Sequence, residues 1–282
     1  MRYLRSYKKV FKHRARLQDL TVHAQDSSST AILSPVAALL NRRGHEPLRG
    51  SLTRCMSTSE ARFFVKTEKI DSFPSRLRAT FGLHRSEGGY TWLVEELRNS
   101  VEAWHRGAPV PRVAAFGYQR RGRRLVREFF LVSEMLDGHI NAMEWIQRPG
   151  VDVEQLLLNC FALFKQLHDR EIFHLDLWLA NIMLDPQQPD QLRVVDLENC
   201  YIGTTAYLSE MLGFQFGFFF FRFVREHISE ERYDQLVNEA LQAYADVDRE
   251  RFSRVYDVVK RQPTSRKKRR LLVLHGLLKT KR

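Results

Sequence analysis

Three side chains near the middle of the chain have the types and order that phosphoryl transfer requires. His174, Asp176 and Asn181 form the pattern H-x-D-x-x-x-x-N, and an apolar run, Ile182-Met183-Leu184, follows at once. A second apolar pair, Val194-Val195, delivers Asp196. A carboxylate such as Asp176 can orient an attacking hydroxyl. An Asn and a second carboxylate, here Asn181 and Asp196, can hold Mg²⁺ on nucleotide phosphates, because that ion prefers hard oxygen ligands.

For these groups to meet, the chain must double back. The two apolar runs are predicted to be short strands of a hairpin, with the polar stretch DPQQPDQ at 185–191 as its turn. Such a hairpin returns Asp196 to Asn181. Upstream, residues 151–173 carry Leu156, Leu157, Cys160, Phe161, Leu163, Phe164 and Leu167 on one broad apolar face, with Asp152 as a candidate N-cap. This predicts a long buried helix running into the loop that holds Asp176.

The order of these motifs resembles the protein-kinase-like superfamily. Over residues 48–200 it is more narrowly similar to the lipopolysaccharide core kinases, which phosphorylate Kdo or heptose sugars in Gram-negative bacteria. The resemblance implies an α+β, two-lobed kinase-like fold, with a small β-rich N-lobe and a mainly helical C-lobe. It also implies ATP and Mg²⁺ as cofactors. Lys66 ends the apolar run Phe63-Phe64-Val65 and takes the place of the strand lysine that meets the α- and β-phosphates. Its helix partner is expected eleven residues before Gly107 of GAPVP, which selects Glu96, with Glu95 as the rival. The stretch from Glu134 through Leu136 to Gly138 becomes the hinge whose backbone receives adenine. His174 becomes a brace for the loop.

The sequence departs from protein kinases in informative places. Only Gly50 stands where a phosphate-covering loop would need several glycines. Trp178 replaces the Lys that protein kinases place two residues after the loop Asp, which argues against a protein substrate. Leu197-Glu198 follows Asp196 in place of Phe-Gly, and no A-P-E-like segment appears, so a full activation segment is expected to be missing.

With 282 residues, 44% hydrophobic and 28% charged, the composition is that of a soluble globular protein with ample core. Cys55, Cys160 and Cys200 are too widely spaced for a disulfide framework or a zinc site, which favours a reducing cytoplasm. MRYLRSYKKVFKHRAR lacks the apolar core of a secretory signal. The net charge of +12 is uneven: residues 1–20 carry +6, residues 260–282 carry +10, and the body between them is −4. A mildly acidic body makes nucleic acid an unlikely partner. Basic ends suit an anionic glycolipid or peripheral contact at the inner face of the inner membrane.

The remaining elements follow in chain order. Residues 1–34 are expected to be a basic extension, with an amphipathic helix over 1–20 and a polar loop over 21–34. The N-lobe then spans 35–136. It holds a short helix at 35–44 stopped by Gly44, a strand pair over 48–67 turning at STSE, and a Pro/Gly-interrupted stretch at 70–90. That stretch carries Arg76, Arg78 and Arg85. A helix at 91–105 and strands at 110–118 and 125–136, joined by the basic turn RRGRR, complete the lobe. The C-lobe spans 137–282. The aromatic run Phe218 to Phe221 reads as a buried helix, and the tail SRKKRRLLVLHGLLKTKR as a segment for an anionic surface. Two alternatives stand beside the sugar-kinase reading. One is a kinase for a soluble small molecule, of the aminoglycoside or choline type. The other is a catalytically silent kinase-like module docked to membrane or nucleic acid by its basic ends.

Overall fold

A computed structural model describes residues 6–27, 29–43, 51–57, 62–84, 90–120 and 125–276. Outside these fall Gly44, Gly50, the turn after Ser57, Arg85, Gly88, Gly89, the basic turn at 121–124 and the tail from 277 onward. The chain divides into two compact units, Met1–Val101 with Pro111–Leu136, and Glu102–Val110 with Asp137–Arg282. Among the described residues, no helix is long and apolar enough to cross a membrane.

The first unit is an antiparallel sheet with helices on both faces. Its elements in chain order are β1 (His13–Leu17), β2 (Leu20–Ala24), α1 (Ser29–Arg43), β3 (Ser51–Ser57), β4 (Arg62–Lys69) and α2 (Phe73–Phe81). The helix α3 (Trp92–His105) and the strands β5 (Val113–Arg120) and β6 (Val126–Glu134) follow. The strand order is β1-β2-β5-β6-β4-β3. Strand periodicity sends alternate side chains to opposite faces. Phe63, Val65, Phe130 and Val132 therefore pack with Ile32, Val36 and Leu40 of α1. Phe116, Phe129 and Leu131 pack with Leu93, Val94 and Leu97 of α3.

Three sequence expectations are corrected here. Residues 6–20, the described part of the expected amphipathic helix, do not form one. After a short turn of 3-10 helix at Ser6–Lys9, the chain forms the hairpin of β1 and β2, and β2 pairs along β5. The 21–34 stretch is no loop: it finishes β2 and begins α1. The 70–90 stretch contains α2, in which Pro74 lies in the first turn and Gly82 ends the helix in the left-handed conformation. Proline at that position lacks only an N–H that the helix would not have used, so it starts the helix rather than breaking it.

The second unit is mainly helical. It contains β7 (Ile140–Asn141), α4 (Ala142–Ile146), α5 (Val153–His168), β8 (Ile172–His174), β9 (Ile182–Asp185), β10 (Gln188–Val194) and β11 (Cys200–Ile202). The helices α6 (Leu208–Arg222), α7 (Glu230–Ala240), α8 (Arg249–Val259) and α9 (Arg266–His275) complete it. Asp152 caps α5 by accepting from the Gln155 N–H at 3.0 Å. The expected apolar face of α5 is buried. Phe161 and Phe164 meet Phe216 and Phe219 of α6 edge to face. Phe214, Phe218 and Phe220 are buried as well, so the aromatic run is core. Gly213 and Gly217 let α6 approach the α8 backbone, because a Cβ on either would run into the Phe252 or Tyr256 carbonyl. The polar turn predicted at 185–191 is shorter than expected, since β10 resumes at Gln188. Only residues 197–207 separate Asp196 from α6, too few for a kinase activation segment. A sheet-rich first unit and a mainly helical second unit are the α+β composition that the sequence implies.

Candidate active site

In the first unit, β4 and α3 set the charged groups. Lys66 lies opposite Leu131 in the β4–β6 register, so both point to the face covered by α3. Its Nζ lies 2.7 Å from a Glu96 carboxylate oxygen. Two residues along, Glu68 accepts from the Leu93 N–H at 3.2 Å, placing negative charge at the start of α3 where the helix dipole favours it. Glu95 is engaged elsewhere: it accepts from the Tyr90 N–H and lies 3.7 Å from Arg98. Of the two rivals, Glu96 is the one that pairs with Lys66.

At the hinge, the Glu134 N–H donates to the Arg112 carbonyl at 2.9 Å and the Met135 N–H to the Arg62 carbonyl at 3.3 Å. Both donors are spent inside the sheet. Among the described residues, no backbone hydrogen bond occupies the Leu136 N–H.

In the second unit, the loop between β8 and β9 carries the remaining groups. β8 is pinned to β11, and the Leu175 N–H donates to the Asn199 carbonyl at 2.8 Å. His174 is buried. Its Nδ1 accepts from the Asp176 N–H at 3.2 Å, and its Nε2 lies 3.3 Å from the Val195 carbonyl as donor. Burial holds this ring below its ordinary pKa, and the ring so held braces the loop as a neutral imidazole.

Asn181 links the two halves of the motif. Its Nδ2 donates to the Asp176 carbonyl at 2.9 Å, and its own carbonyl accepts from the Val195 N–H at 3.0 Å. The hairpin thereby brings Asp196 to the Asn181 backbone, as the spacing predicts. Asp196 has φ 63° and ψ 53°, a left-handed conformation that a short polar side chain tolerates better than most.

The donor set fits a hard divalent cation. Spending Nδ2 on the Asp176 carbonyl leaves the Asn181 side-chain oxygen for a metal. The Asp196 and Glu198 carboxylates come within 4.8 Å of one another. Asn181 and Asp196 would hold Mg²⁺, with Glu198 beside them.

The site also contains residues that sequence reasoning assigned elsewhere. The basic tail was expected to face an anionic surface, but its first half is α9, capped by Ser265 and packed through Leu272 and Val273. Arg269 is buried, and its Nη1 lies 2.6 Å from Asp176 Oδ1. Arg266 lies 2.9 Å from Glu198 and 3.7 Å from Asp176 Oδ2. The guanidinium of Arg222 stacks 4.4 Å above the Trp178 ring. A signal for α9 was present in Ser265, in the apolar spacing and in Gly276. The run SRKKRR masked it by reading as a solvated charge cluster.

Residues 82–207 match the model of the lipopolysaccharide kinase (Kdo/WaaP) family. The matched segment holds Glu96, Asp176, Asn181 and Asp196, and the lipopolysaccharide kinase family is a family of kinases. Among solved structures, the chain is similar to "WaaP in complex with acyl carrier protein", at 18% identity over 82% of this chain and 81% of that one, with a TM-score of 0.37. No curated protein matches the chain.

Proposed function

We propose that the chain transfers the γ-phosphoryl group of ATP, with Mg²⁺, to a sugar hydroxyl of the lipopolysaccharide inner core, Kdo or heptose. The observation that carries the reading is the junction at Asn181, which binds the Asp176 carbonyl and receives the Val195 N–H. One residue thus ties a hydroxyl-orienting carboxylate to a metal-binding carboxylate.

The roles follow from the chemistry. Asp176 accepts the hydrogen bond of the acceptor hydroxyl and takes its proton as the bond to phosphorus forms. Asn181 and Asp196 hold Mg²⁺, which supplies neutralisation of charge on the phosphate oxygens. Lys66, oriented by Glu96 before the nucleotide arrives, meets the α- and β-phosphates. Leu136 offers its backbone to adenine. ATP places the reaction on the cytoplasmic side. Lys12, Arg14 and Arg16 stand exposed along and beside β1, a cationic edge suited to an anionic membrane surface.

The test has two stages. Calorimetry at moderate salt should give saturable ATP binding that requires Mg²⁺, since salt suppresses nonspecific attraction to the basic ends. Transfer should then favour a Kdo- or heptose-bearing glycolipid over soluble amino alcohols and aminoglycosides. Absence of metal-dependent binding would overturn the phosphotransferase reading. Preference for the soluble acceptors would overturn the glycolipid assignment alone.

A further inference from the structure

The C-terminal helix α9 puts a buried arginine on the carboxylate that matters most. Arg269 has its guanidinium held at Nε, at Nη1 and on one face. Nε donates to the Thr264 carbonyl at 2.9 Å, Nη1 donates to the Leu175 carbonyl at 2.9 Å and to Asp176 Oδ1 at 2.6 Å, and its flat face lies 4.3 Å from the Phe218 ring centre. Thr264 belongs to the turn before α9, Leu175 and Asp176 to the catalytic loop, and Phe218 to α6. A single side chain therefore ties these three parts together.

We infer that Arg269 is a positioning residue for the transfer reaction: it clamps Asp176 Oδ1 so that Oδ2 is held toward the acceptor hydroxyl. The inference rests on the phosphotransferase reading of Asp176. Two features argue for positioning rather than for simple anchoring of α9. Anchoring needs only the Thr264 and Leu175 carbonyls, yet the shortest contact is spent on the reactive carboxylate. The guanidinium is also pinned by its other bonds, so it cannot follow the carboxylate and instead dictates where the carboxylate sits. In a loose transition state, orientation of the hydroxyl counts for more than basicity of the group that takes its proton. A cation on the orienting carboxylate is compatible with that demand. Trp178 stands where protein kinases carry a lysine, and in this chain the cations beside the loop carboxylate come from α9, Arg269 at 2.6 Å from Oδ1 and the more exposed Arg266 at 3.7 Å from Oδ2.

The experiment uses the full chain and steady-state transfer from ATP to the Kdo-bearing glycolipid. It compares wild type, Arg269→Ala, Arg269→Lys and, as a control on the same helix, Lys267→Ala. The expected result is a fall in kcat of about 10–100-fold for Arg269→Ala with KM for ATP little changed, and wild-type rates for Lys267→Ala. That fall corresponds to about 1.4–2.7 kcal/mol of barrier. Added ethylguanidinium should restore part of the lost kcat, which a role confined to folding would not allow. Arg269→Lys keeps the charge and the stem but loses the fork, so it should fold and still lose several-fold in kcat. If Arg269→Ala does not fold, Arg269→Lys decides by the same kcat reading. Unchanged kcat in a folded Arg269 variant, with an active wild type, overturns the inference. A wild type that binds no Mg²⁺–ATP and transfers nothing overturns the phosphotransferase reading, and the inference with it.

Discussion

Two charge pairs, one in each unit, differ in how firmly each partner is held. Lys66 meets Glu96 through an ammonium at the end of a flexible stem, half-buried on the strand face that α3 covers. Arg269 meets Asp176 through a planar fork already bound to two backbone carbonyls and laid on a phenyl ring. The ammonium can leave its carboxylate for a phosphate, because a point charge loses little geometry in the exchange. The guanidinium cannot move without breaking three hydrogen bonds. Under the proposed function, the first pair receives a ligand and the second keeps a reactive group still. The same opposition of charges thus suits two ends, and what separates them is the kind of cation, a point charge on a stem against a planar fork.

This contrast can be broken at several points. The largest effect should come from Asp196→Ala, which removes a metal ligand outright. Calorimetry should show Mg²⁺-dependent ATP binding weakened by more than about 100-fold, since even groups behind a ligand are worth 10–100-fold. Retained metal dependence would move the cation away from Asn181 and Asp196. Next comes the scaffold of the second pair. Leu272→Ala on the buried face of α9 should destabilise the protein by about 2–5 kcal/mol in chemical denaturation. A cost near zero would mean that α9 is a loose tail, which could not fix Asp176.

For the first pair, Lys66→Met should weaken ATP binding by about 10–100-fold, the worth of a hydrogen bond to a charged group. Glu96→Gln should cost less, because it loosens the lysine without removing it. A Glu96→Gln effect larger than that of Lys66→Met would mean that the pair is structural.

The effect least tied to either pair concerns acid. Burial pushes His168 down to about 3 and holds His174 below its ordinary value. The unfolded chain protonates both near pH 6.5. For His168, between that pH and about 3, the unfolded state binds more protons, so stability falls as the pH falls, by roughly 1 kcal/mol per pH unit, and His174 acts in the same direction. Thermal melts at pH 7 and pH 5 should show this loss, and His168→Gln should reduce it. An unchanged slope would count against a buried neutral ring at 168.

The catalytic loop was legible in the sequence because its chemistry lies within one contiguous stretch. His174 to Asp196 needs only a hairpin to close, and the alternation of apolar and polar residues announces one. The Lys66–Glu96 pair was legible through the strand pattern that ends at Lys66 and the spacing from Glu96 to Gly107. What escaped depends on distant partners. β1 looks like part of a basic helix and β2 like the start of a polar loop until β5 supplies Tyr118 opposite Thr21 and Phe116 opposite His23. A strand with cations on one side and apolar groups on the other carries no local mark that separates it from an amphipathic helix. Arg269 escaped for the same reason. Its place beside Asp176 is a contact across 93 residues, and no local spacing encodes it. Proline misled in the opposite direction at Pro74, where a residue read as a breaker opens α2.

The most direct test of the phosphotransferase account is single-turnover transfer from ATP to the glycolipid by Asp176→Asn, with ATP binding measured on the same sample. The account predicts ATP affinity within about twofold of wild type and transfer slowed by roughly 10²–10⁴-fold, the usual worth of a positioned proton acceptor. Transfer at the wild-type rate, with binding intact, would contradict it and remove Asp176 from the chemistry.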